Sequence, residues 1–490
     1  MGLKYDGLMY ERIYEILKDR IESGLLPAGT KLPSRDDLCQ EFGTSGKTIR
    51  RVLSLLKENG MIETQQRMRP VVSFHQHTRR PMINLALERV DTSITDEVLK
   101  TGVLLGYPVI ENGIALCKQE DFKIPRKIVE NMNIEDAAEF WRLTKQFQRF
   151  FIRRNENDLS LRVMDSLGLA GLMPLQDNME IRTRFYGQLQ ELMSVIEAGG
   201  DTNRVHFDDM SGMYGLTYGS EPAFDIPADS AAVLGKEQLE KLLLREEVRY
   251  SAVYMDLLAL IAMGRFKPGD KLPTHNELQK IYHVSVDTTV KAIQIMQEWG
   301  VVKTVRGKGI FVMMDLHDLM KIEIPPHLIA CHVRRYLDTL DLLVLTIEGV
   351  SAYAAAHITQ EEIEEAMSEI NHFWNEAYLY MLTPSFLLNL IVKHTGDGSL
   401  NAIYTLLRRN LGIGRSIPAL LEAGKTAADY ELHEQCVTAL DRLGAGDPEA
   451  FSIGTAKAFR YIYDYVVHKC KGLGYYDPAM AVYDGSALWK

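Results

Sequence analysis

Two stretches of this 490-residue chain, 240 residues apart, align with no insertion between them. One runs GLLPAGTKLPSRDDLCQEFGTSGKTIRRVLSLLKENGMIET from Gly24 to Thr64. The other runs GRFKPGDKLPTHNELQKIYHVSVDTTVKAIQIMQEWGVVKT from Gly264 to Thr304. A fixed-period repeat constrains architecture more than any local pattern, because one supersecondary unit must account for both copies. The chain also exceeds a single core: at roughly 100–200 residues per domain, three to four domains are expected.

In the first copy Ile13, Ile16, Leu17 and Ile21 keep helical spacing, which predicts a helix from Leu8 to Gly24. Gly24, Pro27 and Gly29 end it. Ser34 with Asp37, and Thr274 with Glu277, open a short second helix; the latter pair is a capping-box pattern. Ser45 and Ser285 are placed to cap a third helix. On that helix Ile49, Val52, Leu53 and Leu56, matched by Thr289, Ala292, Ile293 and Met296, form the packing face. The opposite face carries Lys47, Arg50, Arg51 and Ser54 in copy one, and Asp287, Val290, Lys291 and Gln294 in copy two. Such a face can enter the major groove of DNA. The runs MIETQQRMRPVVSF and VVKTVRGKGIFVMM then read as β-hairpins, the second with Arg306, Gly307 and Lys308 at a tip able to approach phosphate closely.

Charge must be counted by region. The whole chain is net −11, yet Met1 to Arg80 holds 14 Lys/Arg against 10 Asp/Glu, and Arg245 to Asp315 holds 10 against 8. Mildly basic repeats on an acidic remainder suit a protein that presents one end to DNA. The five cysteines form no CxxC pair, which points to reduced thiols in a cytosol. The N-terminus has no apolar signal region, and no stretch approaches the ~20 apolar residues of a membrane span. A soluble, cytoplasmic protein is expected.

At these residues both segments resemble the winged helix-turn-helix of the GntR family of bacterial transcription regulators. The family pattern is PG-x-x-LPS/T, a Ser-centred VS-x-x-T-V-R third helix and a G-x-G-x-F-V wing. Pro268 to Thr274, Val284-Ser285, Thr288 and Gly307 to Val312 match it in copy two; Lys31 to Ser34, Ser45, Thr48 to Arg50 and Gly60 match it in copy one. The departures concern base readout. The arginine after the helix-three serine is Gly46 and Val286, and the arginine of T-V-R is kept as Arg50 but becomes Val290. The arginine two places after LPS/T is Asp36 and Asn276, with Arg35 next door. The first wing lacks glycines and offers Arg67 and Arg69 instead. The resemblance implies double-stranded operator DNA as the partner, a nucleoid location, and contacts in copy one from Arg35, Ser45, Lys47, Thr48, Arg50, Arg51, Arg67 and Arg69. In copy two it implies His275, Ser285, Thr288, Lys291, Arg306, Gly307 and Lys308. The copies are not expected to read the same half-site.

The remaining segments repeat more weakly. Phe140-Trp141 and Phe373-Trp374 lie 233 residues apart within similar helical patterns, and alternating β-branched runs are absent. The second body resembles the all-helical effector domain of the FadR branch of that family. His433 matches the branch's middle metal-ligating histidine, but the first falls on Leu388 and the last on Ala458. No metal or cofactor is therefore expected, since a tight site needs three or four convergent ligands. His357, His372 and His394 have no spacing that demands a site. A small-molecule effector between the helices remains an expectation, with His433 and Arg334 as its candidate ligands. The stripe Leu340, Leu343, Val344 and Ile347 reads as core.

The expected fold is mainly α: winged helix-turn-helix at 1–76, helical body at 84–220, winged helix-turn-helix at 245–315, helical body at 325–490, in tandem duplication. The three-proline segment from Ser220 to Gln238 reads as the join. One chain would act as a pseudo-dimer, or pair as a homodimer, on half-sites about one helical turn apart or less. Repression by blocking polymerase, modulated by the effector, is the expected outcome. The alternative is a non-sequence-specific architectural or interaction protein with degenerate readers. An enzyme is not expected, because no Gly-rich phosphate loop, HExxH or nucleophile elbow occurs.

Overall fold

The computed structural model describes residues 6–22, 26–42, 44–64, 68–73, 87–89, 101–166, 179–199, 225–227, 253–258, 260–261, 265–282, 284–314, 316–319, 326–376, 380–396, 398–420 and 424–482. The fold is mainly α, with small antiparallel sheets. Among the described residues no helix is long and apolar enough to cross a membrane.

The first reader comprises α1 (Asp6–Glu22), α2 (Arg35–Glu41) and α3 (Gly46–Glu58), then β1 (Ile62–Glu63) paired with β2 (Val71–Val72). Ile13, Leu17 and Ile21 of α1 meet Leu38 of α2 and Ile49, Val52 and Leu56 of α3 in one core. The two-faced pattern of α3 is thus real: Ile49, Val52 and Leu56 are buried and Leu53 half-buried, while Lys47, Arg50, Arg51 and Ser54 are exposed. Ser34 and Asp37 form a reciprocal capping box at 2.9 and 3.1 Å, which satisfies two donors that a helix start otherwise leaves orphaned.

The second reader repeats this frame. Residues 253–258 are helical, followed by β5 (Lys271–Leu272), α9 (His275–Tyr282), α10 (Val286–Glu298), β6 (Val302–Val305) and β7 (Gly309–Val312). The sheet order is β5-β7-β6. Hydrogen bonds recur at an offset of 240. Gly29 donates to the Val72 carbonyl and Gly269 to that of Val312; Met61 donates to Leu56 and Val301 to Met296; Leu38 donates to Ser34 and Leu278 to Thr274. Where β5 pairs with β7, the first copy has an isolated bridge, Lys31 to Val71.

After the first reader, β3 (Leu87–Arg89) pairs with β4 (Asp225–Pro227), in register Leu87 to Pro227. β4 falls inside the Ser220–Gln238 segment that reads as the join. Between them lie a π-helical turn (Gly102–Gly106), α4 (Tyr107–Ala115), α5 (Lys123–Glu130), α6 (Ala137–Arg154), α7 (Asp158–Ser166) and α8 (Met179–Glu197). Phe140, Trp141, Phe147 and Phe150 of α6 pack on Phe185, Leu189 and Met193 of α8. Gly113 of α4 lies directly against the Phe151 carbonyl, a close approach that a Cβ would block.

The second body holds α11 (Leu316–Leu319), the 30-residue α12 (Pro326–Ala355), α13 (Gln360–Trp374), α14 (Thr383–Lys393), α15 (Ser399–Leu411), α16 (Ala427–Gly444), α17 (Pro448–Gly472) and α18 (Tyr476–Val482). Capping boxes start α13 (Thr359, Glu362) and α16 (Thr426, Asp429). Leu340, Leu343 and Ile347 are fully buried and Val344 packs against their cluster, as the stripe predicts.

Two separate bundles had been expected, yet the bodies share a core. Leu105 and Val109, Ile152, Leu159, Leu161, Val163 and Met164 join the same buried cluster as Leu340, Leu343, Phe451 and Phe459. The π-turn, α4 and α7 lie against α12. Polar pairs seal the seam: Asn157 Nδ2 donates to the Asp338 carbonyl (2.9 Å) and to Asp341 Oδ2 (2.8 Å). The Phe-Trp pairs also differ in setting, since Phe140 and Trp141 are buried while Phe373 and Trp374 are half-buried.

Candidate nucleic-acid interface

The outward surface of the first reader is built from local rules. Ser45 caps α3 by accepting from the Thr48 amide (3.3 Å), and its hydroxyl also pairs with the Thr48 hydroxyl (2.9 Å). Thr48 is only 4% exposed, so its side chain belongs to the cap and not to the open face. Lys47 and Arg50 face solvent, as does Arg51, whose guanidinium lies 4.4 Å from the Tyr10 ring centroid. Arg35, at the start of α2, sets its Nε 3.7 Å from where a Cβ on Gly46 would stand. A guanidinium therefore reaches the beginning of α3 from the neighbouring helix, at the position where Gly46 supplies no side chain. Arg69 is exposed, 3.9 Å from Asp37, with Lys31 and Gln40 along the same open groove. Bonds from Ser34, then the charge of Arg69, hold the Asp37 carboxyl below its ordinary value. Arg67 lies outside the described residues.

The second reader has the same scaffold and different chemistry. Ser285 caps α10, accepting from the Thr288 amide at 3.2 Å and pairing with its hydroxyl at 2.8 Å. His275, expected outward, turns its Nδ1 to the buried Thr289 hydroxyl at 3.0 Å. Asp287, Val290, Lys291 and Gln294 are exposed, and so is Val286. At the wing tip Arg306 and Lys308 are exposed on either side of Gly307, whose φ of +72° a side chain would strain. Gly309, at φ +126°, leaves room for the Lys271 side chain.

Electrostatics separate the two third helices. α3 carries Lys47, Arg50, Arg51 and Lys57 against Glu58. α10 carries only Lys291 against Asp287 and Glu298. The charged side chains of the first of these helices sum to a positive charge and those of the second to a negative one, with Arg306 and Lys308 on the wing beside it.

Each reader is tied to a body by its first helix. Glu22 of α1 pairs with Arg149 of α6 at 2.9 Å. Asp256 pairs with Arg415, in the 3-10 turn Gly412–Ser416 after α15, at 2.9 Å, and accepts from the Tyr282 hydroxyl at 2.8 Å. Sequence reasoning missed these anchors, since nothing distinguishes Arg149 or Arg415 from an ordinary surface arginine.

The effector candidates divide. His433 stacks on Trp374 at 3.9 Å between ring centroids, and the Lys425 ammonium lies 4.1 Å from the same ring. Burial, then the charge of Lys425, lowers the pKa of His433. Its Nδ1 is buried and makes no hydrogen bond. Arg334, expected to face an effector, is instead a seam residue. Its Nε donates to Asp338 (2.8 Å), and its other nitrogens meet the Glu156 carbonyl and the Met480 sulfur. Leu388 and Ala458, at the positions of the family's outer histidines, are core. His394 pairs with Glu362 at 3.0 Å, His357 packs on Tyr353 and His372 on Phe373. Among the described residues no group of three His, Cys, Asp or Glu could hold a metal ion.

Residues 9–72 and 249–312 each match the model of the bacterial regulatory proteins of the gntR family. The HTH-type transcriptional repressor YtrA of Bacillus subtilis (strain 168) is 33% identical over 63 residues, 13% of this chain and 48% of that protein. The HTH-type transcriptional regulator TreR of the same organism is 32% identical over 65 residues, 13% of this chain and 27% of that protein. The chain thus spans less than half the length of these curated relatives. A Streptococcus agalactiae GntR structure aligns over 44% of this chain and 99% of its own, with 18% identity and a TM-score of 0.20. Lar, which controls expression of the Listeria monocytogenes agr system, aligns over 46% and 97%, with 15% identity and a TM-score of 0.21. Likeness at those TM-scores carries no weight for the fold.

Proposed function

We propose that this chain, which carries two GntR-type winged helices, is a sequence-specific DNA-binding transcription regulator, acting as a repressor. The observation that carries this reading is the outward face of α3, where Lys47, Arg50 and Arg51 stand together on a helix whose other side fills the core. A helix of that kind lies in the major groove while its neighbours and wing contact the backbone. Arg35, Arg69, Arg306 and Lys308 serve phosphate or base edges; Ser45, Thr48, Ser285 and Thr288 set the helix ends.

One chain supplies both halves of the binding unit. At offsets of 233 to 240 residues, those of the two repeats, the segment 101–115 falls on α12, and these elements lie against each other, with Leu104 beside Gly349. Contact between equivalent elements is what a two-fold interface produces, and it supports a duplicated pseudo-dimer. The domain bounds 1–76, 84–220, 245–315 and 325–490 belong to the same reading. A small effector in the second body, beside His433, would shift operator affinity by its differential affinity for the two arrangements of readers.

The test is selection of duplexes from a randomised library by the full chain, then titration of selected and scrambled duplexes at one fixed salt concentration. A preference of about a thousandfold or more is expected. Equal affinity with a steep salt slope would instead establish an architectural, non-specific binder.

A further inference from the structure

We propose that the second winged helix reads the C5-methyl groups of thymine through Val286 and Val290. The inference deepens the regulator reading and rests on it. Val286 and Val290 are 40% and 44% exposed and stand one turn apart on α10. They are not core residues, because Thr289, Ala292, Ile293 and Met296 already fill the inner face of that helix. Their equivalents at the 240-residue offset are Gly46 and Arg50, on the face of the first reader that carries its cations.

The N-terminal half of such a helix is the part that reaches base edges. In the major groove guanine offers two acceptors, cytosine a donor and adenine one of each; thymine alone presents an apolar group, its methyl. A valine set against guanine would strip water from acceptors and return no hydrogen bond, a costly arrangement. Set against thymine, it buries methyl on methyl. Asp287 beside Val286 is exposed and accepts only, so it suits the amino group of a cytosine next to the thymine. Attraction to phosphate comes from Lys291 and from Arg306 and Lys308 on the wing, so the helix itself need not be cationic.

The probe is a library-selected duplex in which each thymine in turn is replaced by deoxyuridine, which removes only the methyl. The full chain is titrated at fixed salt. One or two thymines in one half of the duplex should each show a loss of about three- to tenfold, the scale of burying one methyl-sized group. The Val286→Ala, Val290→Ala double variant should bind the all-thymine duplex more weakly and no longer respond to those replacements. Arg50→Ala, altered in the other reader, should keep the response. Sequence-specific binding with no deoxyuridine effect, or with one that persists in the double variant, overturns the inference and leaves the regulator reading in place. A double variant that matches the wild type on every duplex also overturns it, and points to a protein partner for this face. If no duplex is preferred over random sequence, the regulator reading fails and this inference with it.

Discussion

The two readers share a frame and differ in what the frame displays. Their buried positions, caps and loop hydrogen bonds recur 240 residues apart, from Ser34 and Thr274 to Leu56 and Met296. The outward positions do not: Lys47 corresponds to Asp287, Arg50 to Val290 and Gly46 to Val286. Core and caps tolerate little change, because burial and orphaned backbone donors penalise it at once. A solvated side chain can be exchanged at almost no cost to folding. So two readers of one fold can come to favour different base pairs.

Breaking the frame that holds both readers should have the largest effect. Arg334→Ala leaves Asp338 buried at the seam without its cation, where burial already raises that carboxyl and Asp158 and Asp341 add to the rise. A loss of about 3–5 kcal/mol in unfolding free energy is expected by denaturant titration. An unchanged midpoint would mean the bodies hold together without this pair. Next comes the contrast in readout. Arg50→Ala should cost about 1–3 kcal/mol of operator affinity, confined to particular base pairs. Arg306→Ala should weaken binding to all sequences alike and lower the salt slope by about one; a base-specific effect of Arg306→Ala would invert the assignment. The smallest effect tests sameness. Ser45→Ala and Ser285→Ala each remove a helix cap and should each cost about 1 kcal/mol of stability. Clearly unequal values would show that the two frames are not equivalent.

What the sequence made legible was local. Caps act over three residues and a helical face over four, so Ser34, Ser45 and the stripe Ile49, Val52 and Leu56 could be placed from spacing alone. The first helix begins at Asp6, two residues before the expected start; its expected end at Gly24 lies outside the described residues. The seam was invisible, because Asn157 and Asp338 are 181 residues apart and neither belongs to a motif. Arg334 was misjudged for the same reason: in sequence, an arginine clamping a buried carboxylate looks like one waiting for a ligand. Thr48 and His275 read as outward because the pattern fixes residue type and not rotamer; Thr48 turns back onto the Ser45 cap of its own helix, and His275 turns to Thr289 on α10. Arg35 was noted only as a neighbour of a missing arginine, and its approach to Gly46 needed coordinates.

The shared core of the two bodies has a consequence for how such a molecule behaves when scarce. Partners joined only by association drift apart as they are diluted, and their melting temperature falls with concentration. Halves on one backbone meet at an effective concentration of about millimolar, however few molecules a compartment holds. Under the one-chain reading proposed above, a handful of copies would arrive with both winged helices already mounted.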